Sequence, residues 1–252
     1  MPTNELIEIL LHGQVEIVSR MPHSSNATFL VNVTCNDKEV QGIYKPLKGE
    51  RPLWDFEPGL HRNEVAAYRL SEAMGLGIVP PTVLRDGPFG EGSVQLFVDV
   101  DVQQHYFTIF EQREDLHDRL RAMCAFDIVA NNTDRKGGHC LIDADDHIWA
   151  IDHGVCFSPD FKLRTVIWEF GGEELPDNLR AVIEPLIETV PLDIAALLSS
   201  EQVEALHERA QWICEGGAFP IDRSGTRYPW PILYASSINS STAVIWMVWC
   251  AR

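Results

Sequence analysis

The stretch "NNTDRKGGHCLIDADDHIWAIDHGVCF", residues 131–157, decides how the chain is read. It gathers five aspartates, three histidines, two cysteines and three glycines around two short runs, "HCLI" and "HIWAI", that flank "DADD". Two such runs about a short polar break predict a β-hairpin. With the loop at 143–146, Ile142 faces His147 and His139 faces Ala150, so Asp152 falls just past the open end on the face of His139. An imidazole and a carboxylate could then share one ion, whereas a one-residue slip would put them on opposite faces. Asp134 precedes the hairpin in a glycine-containing turn at a helix exit. A loop carboxylate, a metal ligand at the loop's end and a second ligand after the next strand form the arrangement of metal-assisted phosphoryl transfer.

Outward from this stretch, the chain divides in two. Upstream, "LHDRLRAMCAFDIVA" repeats apolar residues at helical spacing and delivers the chain to Asn131. Downstream, "EELPDNLRAVIEPLIETV" and "LDIAALLSSEQVEALHERAQWICEGG" predict amphipathic helices, the second broken near Ser199 and Ser200. The first hundred residues read differently. "QVEIVSR", "ATFLVNVTC" and "VQGIYK" predict an antiparallel meander, 61–74 predicts one helix ended by Gly75 and Gly77, and "VPPTVLRD" and "SVQLFVDVD" predict two further strands. The expectation is an α+β chain with a β-rich lobe over 1–100, a helical lobe over 101–230 and an apolar tail over 231–252, the lobes meeting near 99–103.

Composition narrows the partners. A formal net charge of −17 on 252 residues repels phosphate backbones and anionic lipid surfaces, and no basic run reverses that field. Nucleic-acid binding is therefore excluded as an expectation and membrane contact disfavoured. The longest apolar run, 243–249, is far short of the roughly 20 residues a spanning helix needs. Six cysteines without a CxxC pair, in a chain lacking a signal-like N-terminus, read as reduced thiols of a cytoplasmic protein. Cys140 and Cys156 lie beside His139 and His153, but without the paired spacing of a structural zinc site.

"FDIVANNTDRKGGH" followed by "IWAIDHGVCF" resembles the catalytic and metal-binding loops of the phosphatidylinositol 3- and 4-kinase-like superfamily, and the chain looks closest to its small actinobacterial members. The likeness extends through "SSNATFLV", "YKPLKGERPLWDF" and "EVAAYRLSEAMGLGIVPPTVLRDGPFG", but not into the last twenty or so residues. It implies a bilobal protein-kinase-like fold and ATP with Mg or Mn as cofactors. Position by position, it implies that Asp134 guides the acceptor hydroxyl, that Asp152, in an Asp-His-Gly triplet, and His139 bind the metal, and that Lys45 reaches the phosphates with Glu64 as its partner. The turn "HSSNA" would cover the phosphates with Ser24, Ser25 and Asn26. The strand "QLFVDVD" would meet adenine through Gln95, Phe97 and Val98.

Two departures matter: there is no GxGxxG, a nucleotide cover atypical for a protein kinase although phosphoinositide-type kinases also use a serine-bearing turn, and histidine stands where asparagine is usual, a titratable ligand that favours Mn over Mg. Taken singly, Lys45 reads as an exposed strand end, Glu64 as a first-turn carboxylate, Asp127 as a brace of the helix end, and His147 and His153 as surface or supporting residues. Their order along the chain favours the kinase reading. The acceptor implied is a hydroxyl of a protein or small soluble molecule rather than phosphatidylinositol, since the segment after the triplet offers only Lys162 and Arg164. A nucleotide-binding module without turnover and a transferase moving AMP are the alternatives. "KPLKGERPLWDF" reads either as a flap over the cleft or as a packed loop with Trp54 buried.

Overall fold

The structure, a computed structural model, describes residues 1–21, 26–101 and 103–233. Its N-terminal half is built on β1 (Gln14–Arg20), β2 (Phe29–Cys35), β3 (Lys38–Pro46), β4 (Thr82–Gly87) and β5 (Gly90–Leu96). These pair antiparallel in the order β1-β2-β3-β5-β4. Asn36 and Asp37 both take positive φ between β2 and β3, the backbone that a two-residue hairpin turn requires and that asparagine and aspartate tolerate. Side chains alternate between two buried faces. Val31, Val33, Tyr44, Val83 and Val94 lie on one, and Ile43, Lys45, Ser93, Gln95 and Thr82 lie on the other.

Each face is covered by a helix. The first packs on α1 (Thr3–His12), whose Ile9 and Leu10 are buried in the same cluster. The sequence reading has a single helix here. This second one carries no side-chain cap, and its ten residues depend on burial against the sheet, a tertiary effect that local signals do not reveal. The other face packs on α2 (Leu60–Ala73), the helix expected over 61–74. The strand read as "SVQLFVDVD" ends earlier: Phe97 N–H still donates to Gln41 O at 3.0 Å, but β5 itself stops at Leu96.

The C-terminal half holds α3 (Tyr106–Gln112), α4 (His117–Ala130), the hairpin β6 (Cys140–Ile142) and β7 (Ile148–Ala150), and then α5 (Asp177–Ile183), α6 (Pro185–Glu188), α7 (Leu192–Ala195) and α8 (Ser200–Gly216). Pro185 divides the first downstream helix, and Ser199 caps α8 by accepting from Gln202 N–H, as the "SSEQ" signal predicts. The core of this half centres on α4, where Leu120, Met123, Phe126 and Ile128 are fully buried.

The hairpin register differs from the expected one. Cys140 pairs with Ala150, Leu141 with Trp149 and Ile142 with Ile148, leaving a loop over 143–147. Asp143 organises the longer loop: Oδ1 accepts from the N–H groups of Asp145 and His147, and Oδ2 from Trp149 Nε1–H at 2.8 Å. A separate apolar cluster joins the two halves, with Met21, Ile43 and Val98 meeting Leu141 and Ile151. Among the described residues five cysteines are free thiols, four of them buried (Cys124, Cys140, Cys156 and Cys214) and Cys35 partly exposed. Among the described residues no helix is long and apolar enough to cross a membrane.

Candidate active site

Lys45 is far from an exposed strand end. It sits on the inner face of β3, where its Nζ reaches Glu64 Oε1 of α2 at 2.5 Å and Asp152 Oδ1 at 3.0 Å, and all three side chains are largely buried. Burial alone would push the ammonium's pKa down, but Asp152 and Glu64 outweigh it and hold the value above the usual lysine range. Glu64 has a second duty: its Oε2 accepts from the backbone N–H of His153 at 2.9 Å, so α2 is fastened both to the sheet and to the Asp-His-Gly turn. Asn63 adds to this by donating to the carbonyls of Gly154 and Cys156. A Cβ at position 154 would stand 3.3 Å from Glu64 Oε1, so a larger residue there would have to shift that carboxylate by a few tenths of an ångström.

His139 and Asp152 come together despite the register shift. His139 Nε2 lies 3.6 Å from Asp152 Oδ2. Neither residue belongs to a strand, so the pleat does not set their faces: His139 ends a 3-10 turn, and Asp152 has a left-handed φ of 61°. Asp134 accepts from Lys136 Nζ at 2.9 Å, and its N–H donates to Asn132 Oδ1. Among the described residues no group of three or more His, Cys, Asp or Glu side chains could hold a metal ion.

The sequence reading missed what holds this pair in place. Arg135 is fully buried and makes a bidentate pair with Asp127, at 2.9 and 2.8 Å. Its other N–H groups reach the carbonyls of His139 (3.1 Å) and Ile151 (2.8 Å) and His153 Nε2 (2.8 Å). One guanidinium thus braces the backbone beside both candidate ligands. Because Arg135 can only donate, His153 Nε2 accepts, and the ring proton is on Nδ1. Burial, then the Arg135 charge, holds the His153 pKa well below its usual value, so this histidine is neutral and internal. The arginine beside Asp134 was the available signal, but whether its side chain turns inward to Asp127 is not encoded by spacing.

The segment after β3 is tied to α2. Glu50 accepts from the backbone N–H groups of Gly59 and His61 and contacts His61 Nδ1 at 2.9 Å, while His61 Nε2 meets Glu91 at 3.0 Å. Trp54 is 93% exposed, which excludes the packed-loop reading with a buried tryptophan. Burial disfavours the His61 imidazolium, but Glu50 and Glu91 outweigh burial and raise its pKa. Burial also works against the Glu50 carboxylate, but His61 and the two backbone donors lower its pKa. The histidine's contribution is therefore complete below its unfolded value of about 6.5 and is lost as pH rises through the raised one, whereas that of Glu50 is lost as pH falls below its unfolded carboxylate value. Thermal midpoints followed across pH should fall on the alkaline side of neutrality in the wild type, and less so in His61→Gln. Identical profiles would remove His61 from the account.

Of the residues expected to meet nucleotide, Asn26 Oδ1 accepts from Arg51 N–H at 2.8 Å, Gln95 is buried on the Lys45 face, and Val98 belongs to the cluster between the halves. Phe97 packs against that same cluster. Ser24 and Ser25 lie outside the described residues, as does the tail from 234 onward.

No protein-family model matches the chain. Protein Rv2133c of Mycobacterium tuberculosis is 33% identical over 260 residues, spanning 88% of this chain and 94% of that one. Among solved structures, hydra Fam20 with sugar aligns with a TM-score of 0.57 at 12% identity, covering 85% of this chain and 88% of the other. A Golgi casein kinase with Mn and ADP bound aligns at 0.55 and 14%, covering 92% and 80%. At these identities the likeness establishes a protein-kinase-like fold, α+β with an antiparallel sheet in the N-terminal half.

Proposed function

We propose that this chain, which belongs to the same family as Protein Rv2133c of Mycobacterium tuberculosis, is an ATP-dependent kinase that transfers the γ-phosphoryl group to a hydroxyl of a protein or small soluble acceptor. The observation that carries the reading is the buried Lys45–Glu64–Asp152 constellation, which joins sheet, helix and Asp-His-Gly turn in one charge network. Lys45 provides the fixed positive charge for the phosphates, and Glu64 holds it there. Asp134 receives the acceptor's proton or orients its hydroxyl. A divalent ion, when bound, would neutralise phosphate charge between Asp152 and His139. An imidazole with one carboxylate suits Mn better than Mg, and the Golgi casein kinase neighbour holds Mn with ADP.

The acceptor side argues against an anionic lipid headgroup. Lys162 is flanked by Asp55 at 3.6 Å and Asp160 at 3.7 Å, so its charge is already matched, and the chain as a whole carries −17.

Thermal unfolding with ATP and either Mg or Mn tests the reading. Ligand that binds only the native state should raise stability by about 2.7 kcal/mol at a hundredfold excess over its Kd. The shift should require metal and vanish in Asp152→Ala. ATP labelled at the γ position should then pass its label to an acceptor. Absence of any shift with either metal sinks the proposal, while transfer of an α label would replace phosphoryl transfer by AMP transfer.

A further inference from the structure

We propose that the cavity between the segment after β3 and the segment after the Asp-His-Gly triplet docks a basic polypeptide acceptor, taking its lysine or arginine side chains between Trp54 and the carboxylates of Asp55, Glu57 and Asp160. This rests on the kinase reading above and deepens it by naming the acceptor class.

The cavity, of about 820 Å³, lies between residues 53–59 with the start of α2, residues 158–162, and the junction of α7 and α8. Two of its walls are fastened to the candidate site. Asn131, three residues before Asp134, donates through Nδ2 to the carbonyls of Ser158 (2.8 Å) and Asp160 (2.7 Å), and its Oδ1 accepts from Lys162 N–H at 3.0 Å. On the α2 side, Asn63 precedes Glu64, the partner of Lys45, and is itself bonded to the carbonyls of Gly154 and Cys156. A chain docked in the cavity is thereby held at a set distance from Asp134.

The lining selects cations. Lys162 Nζ stands 5.8 Å from the ring centres of both Trp54 and Phe56, with Asp55 at 3.6 Å and Asp160 at 3.7 Å. Neither carboxylate is near enough for a hydrogen bond, so the protein's own lysine shows that these rings and acids accommodate an ammonium without tying it down. Trp54 stays almost wholly exposed beside it, and Glu57 is exposed as well. Three carboxylates thus face one lysine, because the charge of Arg62 is matched by Glu91 outside the cavity. Leu53, Leu197 and Leu198 add apolar surface suited to the methylene stems of lysine and arginine. An acidic segment would meet unmatched carboxylates, whereas the net charge of −17 draws basic chains towards the protein.

The probe is a short serine-containing peptide rich in arginine, with a control in which citrulline replaces every arginine. Its dissociation constant is measured without nucleotide for the wild type, Trp54→Ala, the cavity pair Asp55→Asn with Glu57→Gln, and a remote pair of the same charge change, Glu8→Gln with Glu16→Gln, on exposed positions of α1 and β1. The wild type should bind the arginine peptide and not the citrulline one. Trp54→Ala, which changes no charge, should weaken binding about fourfold. The cavity pair should weaken it about tenfold, and the remote pair less than about twofold. With γ-labelled ATP and Mn, the cavity variants should raise KM for the peptide by the same factors and leave kcat near the wild-type value. Equal losses in the cavity and remote pairs, or equal binding of the citrulline peptide, overturn the docking site. So does a wild type that ignores the arginine peptide, or binds it without labelling it, while ATP still stabilises the protein; the kinase reading then stands. Failure of ATP to stabilise the wild type with either metal would bring down both.

Discussion

Replacing Asp127 by alanine should destabilise the chain by about 3–5 kcal/mol, a large share of the 5–15 kcal/mol that holds a typical domain folded. Arg135 is wholly buried, and Asp127 is the carboxylate that neutralises it through two hydrogen bonds. Burial opposes the guanidinium's charge, and the Asp127 charge more than compensates, so that the arginine pKa is raised. Without that carboxylate the cation is left uncompensated in the interior. Urea unfolding of the wild type, Asp127→Ala and the double variant Asp127→Ala with Arg135→Met separates the terms. The single change should lower the midpoint steeply, and the double change should recover part of the loss because the unpaired charge is gone. A single variant within 1 kcal/mol of the wild type would show that the pair braces nothing.

Asp134→Asn should reduce phosphoryl transfer by 10²–10⁴-fold, the usual range for losing a positioned acid–base group. The metal-dependent stabilisation by ATP should remain, since the phosphates and the metal are assigned to Lys45, Asp152 and His139 rather than to Asp134. Transfer rates and thermal shifts measured on the same preparation distinguish the two effects. Full activity would remove Asp134 from the chemistry, and lost ATP stabilisation would mean that it holds nucleotide instead.

The lobed plan was legible because it is written in local patterns. Alternating β-branched residues marked four of the five strands within a few positions, the 3.6-residue period marked α2, α4 and α8, and Ser199 marked the break before α8. The candidate site was legible as a set of residue types in order: Lys45, Glu64 and Asp152 stand together in the fold. What stayed hidden depends on side-chain contacts that the apolar pattern does not encode. The hairpin register was misread because Asp143 lengthens the loop by one residue, an effect of its side-chain hydrogen bonds rather than of the apolar pattern. His139 and Asp152 meet for a reason unrelated to the pleat, since both lie in irregular backbone. Arg135 with Asp127, and His61 with Glu50 and Glu91, are contacts between elements separated by loops whose paths composition does not determine.

The buried thiols offer a clock for motions of the site. Cys140 begins β6 between the two candidate ligands, and burial pushes its pKa up to about 12, so a thiol reagent at neutral pH cannot modify it in the closed fold. Cys124 and Cys214 are also raised by burial. Among the described residues, Cys35 is left as the immediate target. With Cys35 and Cys250 changed to serine, labelling of Cys140 proceeds only as fast as the hairpin opens, so its rate measures how often the candidate site's hairpin comes apart, with no need for a substrate.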